Sequence, residues 1–224
     1  MRKISKKMLE IGKKPLETAV VLLFFAGICL LYVYASNQSE FDQTITAGSL
    51  SVDIVDGDGA SVTSPTVAFG SKSFNFDAQD ATGTLGTASQ KIRASNPTAT
   101  VAWTVNLAGS ATTALWTAGG NTYDFNDSSG YTDGADTDTK GGQLTVNPSG
   151  GTIAGVSGCS ESNVSAGSSD SFTEGSTDSI DLMSATTGAA TSCRWDLTGV
   201  ALTQKIPAAQ IAGSYAITMV LSIQ

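Results

Sequence analysis

From residue 36 to its end the chain repeats one pattern: short runs in which apolar and polar residues alternate, each closed by Gly, Ser, Asn or Asp. In "TITAGSLSVDIV" (residues 44–55), Leu50, Val52 and Ile54 fall on one side of an extended chain, and Ser51, Asp53 and Val55 on the other. That period of two is the mark of a half-buried strand. The same kind of run recurs as "TVAFG", "SFNFDA", "QKIRASN", "ATVAWTVNLA", "GQLTVNP", "SIDLMSA", "CRWDLTGVALTQ" and "SYAITMVLSIQ". No segment of this region places apolar residues at helical spacing over several turns. "KIPAAQIAGS" comes nearest, but Pro207 lies inside it, and at most a turn of helix is expected there. The expected fold class is all-β, an antiparallel β-sandwich with Greek-key connections, preceded by one N-terminal hydrophobic helix.

The helix is expected from a change of composition at the start. Residues 1–17 carry Arg2, Lys3, Lys6, Lys7, Lys13 and Lys14 against Glu10 and Glu17, and residues 18–34 are uncharged and largely apolar. A helix over that run would be about 25 Å long, near the lower limit for a bilayer core of about 30 Å. Positive charge resists translocation, so residues 1–17 are expected to be a cytoplasmic n-region and Ser36 onward to lie outside. Residues 18–35 are then either a signal-peptide h-region or a transmembrane anchor, which makes the membrane the first expected partner. Val33 and Ala35 supply the small residues that signal peptidase accepts for cleavage between Ala35 and Ser36. Cleavage would release residues 36–224 as one extracellular domain; retention would tether it.

Charge and cysteine use agree with export. The first 17 residues hold six of the 12 Lys/Arg and two of the 20 Asp/Glu, so residues 36–224 carry six basic and 18 acidic groups, a net charge of −12. Such a surface repels nucleic acid, which is excluded as a partner. Cys29 sits in the apolar run, leaving Cys159 and Cys193 as the pair outside. In an exported domain such a pair is expected to form a disulfide, with two free thiols as the alternative.

The aromatic residues argue for a packed core rather than a disordered Gly/Ser/Thr-rich chain. Phe69, Phe74, Phe76 and Tyr215 fall within strand-like runs, as do Trp103 and Trp195, which alternate with small polar residues. Trp116, between "TTAL" and "TAGG", is expected to be the most exposed of the three tryptophans. Exposed indoles would serve as a sugar-stacking platform, and carbohydrate binding is an alternative function.

Catalysis has little to work with. The chain has no histidine, which removes Ser-His and Cys-His nucleophile systems and His-ligated zinc. Asp53, Asp56, Asp77, Asp80, Glu161, Glu174, Asp178 and Asp181 could supply a carboxylate pair for glycoside chemistry, but nothing in their spacing singles out two of them. The expectation is a protein that is not an enzyme.

The stretch "YDFNDSSGYTDGADTDTKGG" (residues 123–142) is the one candidate metal site. Asp124, Asn126, Asp127, Asp133, Asp136 and Asp138 supply hard oxygen ligands of the kind calcium takes, on a loop that glycine lets bend. The EF-hand spacing is absent, since Asp133 at position 1 puts Ala135 at position 3. The other reading is a long loop at the end of the sandwich, because Asp, Asn and Gly also make ordinary turns. "DIVDGDGAS" (Asp53, Asp56, Asp58) offers a second acidic turn.

Several segments are similar to known families. "FDQTITAGSLSVDIVD" resembles the opening of the TasA/camelysin biofilm-fibre family. "TVAFGSKSFNFDAQDATGTLGTASQKIRASNPTATVAWTVNLAG" resembles the strand order of the WxL cell-surface domain, and "CRWDLTGVALTQ" with "IAGSYAITMVLSIQ" resembles its closing strands. Trp195-Asp196-Leu197 matches the literal WxL motif, whereas Trp103 is followed by Thr104-Val105. The order of "AGSLSV", "SNPTAT.AWT" and "CRWDLTGV" is also similar to surface proteins of small-genome bacteria. Gly12 followed by Glu17 has the spacing at which type IV prepilins are cut, although Lys13, Lys14 and Pro15 interrupt the apolar segment. These resemblances imply a cell-surface structural subunit or adhesion module, with self-association or a cell-envelope partner. Assembly as in the fibre family would make "SNQSEFDQTITAG", freed by cleavage after Ala35, a donor strand.

Overall fold

The computed structural model describes residues 43–46, 48–128 and 141–224. The chain divides into two compact units, Met1–Thr46 and Ala47–Gln224. The expected N-terminal helix and the Ala35/Ser36 cleavage site lie outside the described residues. Among those that are described, no helix is long and apolar enough to cross a membrane.

The second unit is all-β, with fifteen strands among its described residues. The first seven are β1 (Ser51–Val55), β2 (Gln79–Leu85), β3 (Lys91–Asn96), β4 (Trp103–Gly109), β5 (Leu115–Ala118), β6 (Asn121–Asp124) and β7 (Asn126–Asp127). The next four are β8 (Gly142–Asn147), β9 (Thr152–Gly155), β10 (Val164–Ala166) and β11 (Asp170–Ser171). The last are β12 (Ser179–Ala185), β13 (Cys193–Thr198), β14 (Val200–Ile206) and β15 (Met219–Ile223). The only helical pieces among these residues are two single 3₁₀ turns.

Three antiparallel sheets, laid out in sandwich-like fashion, share one core. The first runs β1-β3-β13-β9, the second β10-β12-β4-β15, and the third β11-β8-β14-β2 with β7 added on β8. β5 and β6 form a separate hairpin. Alternation places the core as read from the sequence. In β8, Gly142, Leu144 and Val146 are buried between half-buried neighbours, and in β14 Val200, Leu202 and Gln204 turn inward. Trp195 and Trp103, from different sheets, meet at the centre with ring centroids 5.3 Å apart.

Three expectations need correction. "CRWDLTGVALTQ" is two strands in two different sheets, because the chain changes sheet at Gly199, which takes φ +78°. Its amide donates to the Gly86 carbonyl at 2.7 Å, and Gly86, also at φ +78°, passes so close to Leu197 that a Cβ would meet its carbonyl oxygen at 2.8 Å. "TVAFG" contributes only a single bridge, Phe69 to Gly83, and "SFNFDA" forms no strand. Phe74 and Phe76 alternate as strand residues should, but no neighbouring strand pairs with them, and they stand 52% and 80% exposed. As expected, "KIPAAQIAGS" forms no more than a turn, with Ala209 in the left-handed region, φ +54°.

Candidate functional site

The acidic stretch is not simply a loop. Tyr123 and Asp124 end β6, Asn126 and Asp127 make β7, and Phe125 between them is 1% exposed and packs edge-on against Phe172. Asp124, Asn126 and Asp127 are all buried. The Asn126 side-chain amide donates to Thr112 O at 3.0 Å, and the Asn126 backbone carbonyl accepts from the Glu174 amide at 2.8 Å. Core packing of Phe125 draws this polar segment inward, so residues 123–127 are buried and largely strand rather than part of a loop. Asp133, Asp136 and Asp138 lie outside the described residues. Among the described residues, no three of His, Cys, Asp and Glu come together to hold a metal ion.

The second acidic turn has a structural task. Oδ1 of Asp56 accepts from the amides of Asp58, Gly59 and Ala60 at 3.0, 2.8 and 2.9 Å. The Ala60 amide, with those of Asp58 and Gly59 and the Lys91 charge, holds this carboxyl below its ordinary value against the opposing effect of desolvation. The turn lies over a buried ion pair. Arg93 in β3 grips Asp196 in β13 with both prongs of its guanidinium, Nε to Oδ1 at 2.6 Å and Nη2 to Oδ2 at 2.8 Å. Nη1 reaches Gly59 O at 3.3 Å, while Lys91 contacts Asp196 at 3.3 Å and donates to Gly57 O at 3.1 Å.

Cys159 and Cys193 form the disulfide, with Cα atoms 5.7 Å apart across a separation of 34 residues. It pins the end of β13 beside the segment after β9, where the Trp195 indole donates to Ser160 O at 2.9 Å. Cys193→Ser is expected to cost about 2–4 kcal/mol. Thermal melts of the parent and the variant, each with and without reductant, check this: reductant should shift only the parent.

Trp116 is the most exposed of the three tryptophans, as expected, but at 8% it is still buried and offers no open indole face. Its ring stacks on Tyr123 at 5.9 Å, takes the edge of Phe69 at 5.4 Å, and donates its N–H to the buried Gln204 at 2.9 Å. The small polar neighbours that suggested exposure lie along the chain, whereas the burying partners come from distant segments.

Two clefts open beside this aromatic stack. One, of about 370 Å³, is bordered by Phe74, Trp116, Tyr123, Gln210 and Tyr215. The other, of about 300 Å³, is lined by apolar side chains, among them Ile54, Val67, Phe69, Leu85, Met219 and Leu221. The apolar groove thus touches β1, β2 and β15. Among the described residues β15 pairs only with β4, and no described strand is hydrogen-bonded along its other edge. Along it Met219, Leu221 and Ile223 are half-buried, while Val220 and Ser222 face out.

Comparison with protein-family models, curated proteins and solved structures finds no match to this chain.

Proposed function

We propose that this is a non-enzymatic, exported cell-surface protein that works as a structural subunit or adhesion module, its sheets forming a Greek-key sandwich. The observation that carries this reading is the edge of β15 that no described strand pairs, beside an apolar groove. An unpaired edge offers a row of amides and carbonyls to an incoming strand, and the groove offers apolar sockets for alternate side chains. The disulfide fits an oxidising compartment outside the cytoplasm.

The incoming strand on this reading is residues 36–46 of another copy, freed by cleavage after Ala35. Phe41 and Ile45 share one face of an extended chain, and Ile45 is 86% exposed. Deleting residues 36–46 is expected to abolish filaments seen by electron microscopy while the circular dichroism spectrum keeps its β signature. Filaments that persist unchanged would overturn the donor-strand reading.

A further inference from the structure

The 370 Å³ cleft falls within the range of about 300–1,000 Å³ typical of small-molecule sites. Its border mixes two kinds of surface. Phe74 is 52% exposed and Tyr215 half-buried, so both keep apolar ring surface open to solvent. Between them lie polar groups fixed by packing. The Gln210 side-chain amide donates to the Tyr215 hydroxyl at 2.6 Å and to Thr122 O at 3.3 Å, and the Tyr215 hydroxyl donates to Ile211 O at 2.7 Å. Both N–H contacts of Gln210 face the protein, which leaves its carbonyl oxygen as an acceptor.

Tyr123 is the most informative residue here. It is 4% exposed, held between Trp116 and Tyr215, and its hydroxyl makes no hydrogen bond among the described residues. Burial, with the neighbouring Tyr215 phenol, pushes its pKa well above the usual tyrosine value, so it stays a neutral donor. The hydroxyl is not sealed off from the cleft that Tyr123 lines, so a ligand hydroxyl can pair with it there in place of water. The residues named at this cleft bring no carboxylate to it, and Lys72 is the cation on its border.

We infer that this cleft binds a short neutral saccharide, its C–H face against Phe74 and Tyr215 and its hydroxyls on Tyr123 and Gln210. A pyranose presents an apolar face and a rim of groups that both donate and accept. An apolar ligand would leave Tyr123 unsatisfied, and an anion would find one exposed lysine. The inference is independent of strand exchange, which uses the other groove and the β15 edge.

The test is calorimetric titration of the full chain, in a detergent without a sugar headgroup, with cellotetraose, chitotetraose and mannotetraose. Trp116 fluorescence follows the same binding. Saturable binding of at least one saccharide is expected, weakened roughly tenfold by Phe74→Ala, whose side chain is exposed and carries little of the fold. Tyr123→Phe should weaken binding about three- to tenfold while leaving the melting temperature nearly unchanged, since the hydroxyl donates to no described group of the protein. Absence of binding to all three saccharides, or parent affinity in both variants, would overturn the inference.

Discussion

Trp195→Ala is expected to lower the unfolding free energy by about 3–5 kcal/mol, a large share of the 5–15 kcal/mol that holds a domain of this kind together. Trp195 is fully buried in β13, packs against Trp103 from another sheet, and donates its indole N–H to Ser160 O. Truncation leaves a cavity where two sheets meet, and neither can relax freely, because β13 is hydrogen-bonded on both sides, to β3 and to β9. Urea unfolding followed by circular dichroism measures the loss. Trp195→Phe separates its causes: it keeps most of the packing and loses the hydrogen bond, so it should cost clearly less than the alanine variant. Equal losses from the two would place the effect in the indole N–H instead.

The neighbouring residue gives a loss of similar size by a different cause. Asp196→Ala should cost about 3–5 kcal/mol, because it leaves Arg93 buried without its counter-charge. The double variant Asp196→Leu with Arg93→Met should recover much of that loss, since an apolar pair needs no desolvation of charge. The same pair makes stability depend on acid. Burial by itself would raise the Asp196 pKa, but the Arg93 hydrogen bonds and charge, with help from Lys91, outweigh it and leave the carboxyl below its ordinary value. In the unfolded chain Asp196 takes its proton near the ordinary value of about 3.9. The pair's contribution is therefore complete above that pH and is lost as the pH falls toward the folded-state value. Urea midpoints measured from pH 6 downward should fall more steeply in the parent than in the double variant.

Much of the fold was legible because alternation and burial are set along the chain. β1 and β8 alternate as their runs do, β3 and β12 form where their runs lie, and Trp103 and Trp195 are buried as their spacing implies. β2, "QDATGTL", was not legible: its inward face includes Ala81 and Gly83, too small to register as a hydrophobic pattern. The space is small because Phe69 and Val67 cover it, and a Cβ on Gly83 would meet both at 3.3 Å. Phe74 and Phe76 show the converse, a strand-like pattern with no partner strand.

The candidate sites depend still more on tertiary contact. That Asp124 and Asp127 are buried follows from Phe125 entering the core between them, while the sequence around them reads as turn. The saccharide cleft draws on Phe74, Tyr123, Gln210 and Tyr215, which are far apart in the chain. No local spacing joins them. An isolated tyrosine in a strand run reads as core, and only its surroundings separate a satisfied hydroxyl from a waiting one.

The placement of the last three strands also governs when this domain can fold. β13 lies inside the first sheet, β14 inside the third, and β15 completes the second. Arg93 meets Asp196 across 103 residues of chain, and Gln79 meets Ile206 across more than 120. A chain made from its N-terminus therefore completes none of its three main sheets until its final thirty or so residues have emerged. Such long-range pairing folds slowly and leaves strand edges unpaired while it waits. The same arrangement means that a stop shortly before Cys193 removes one strand from every main sheet at once.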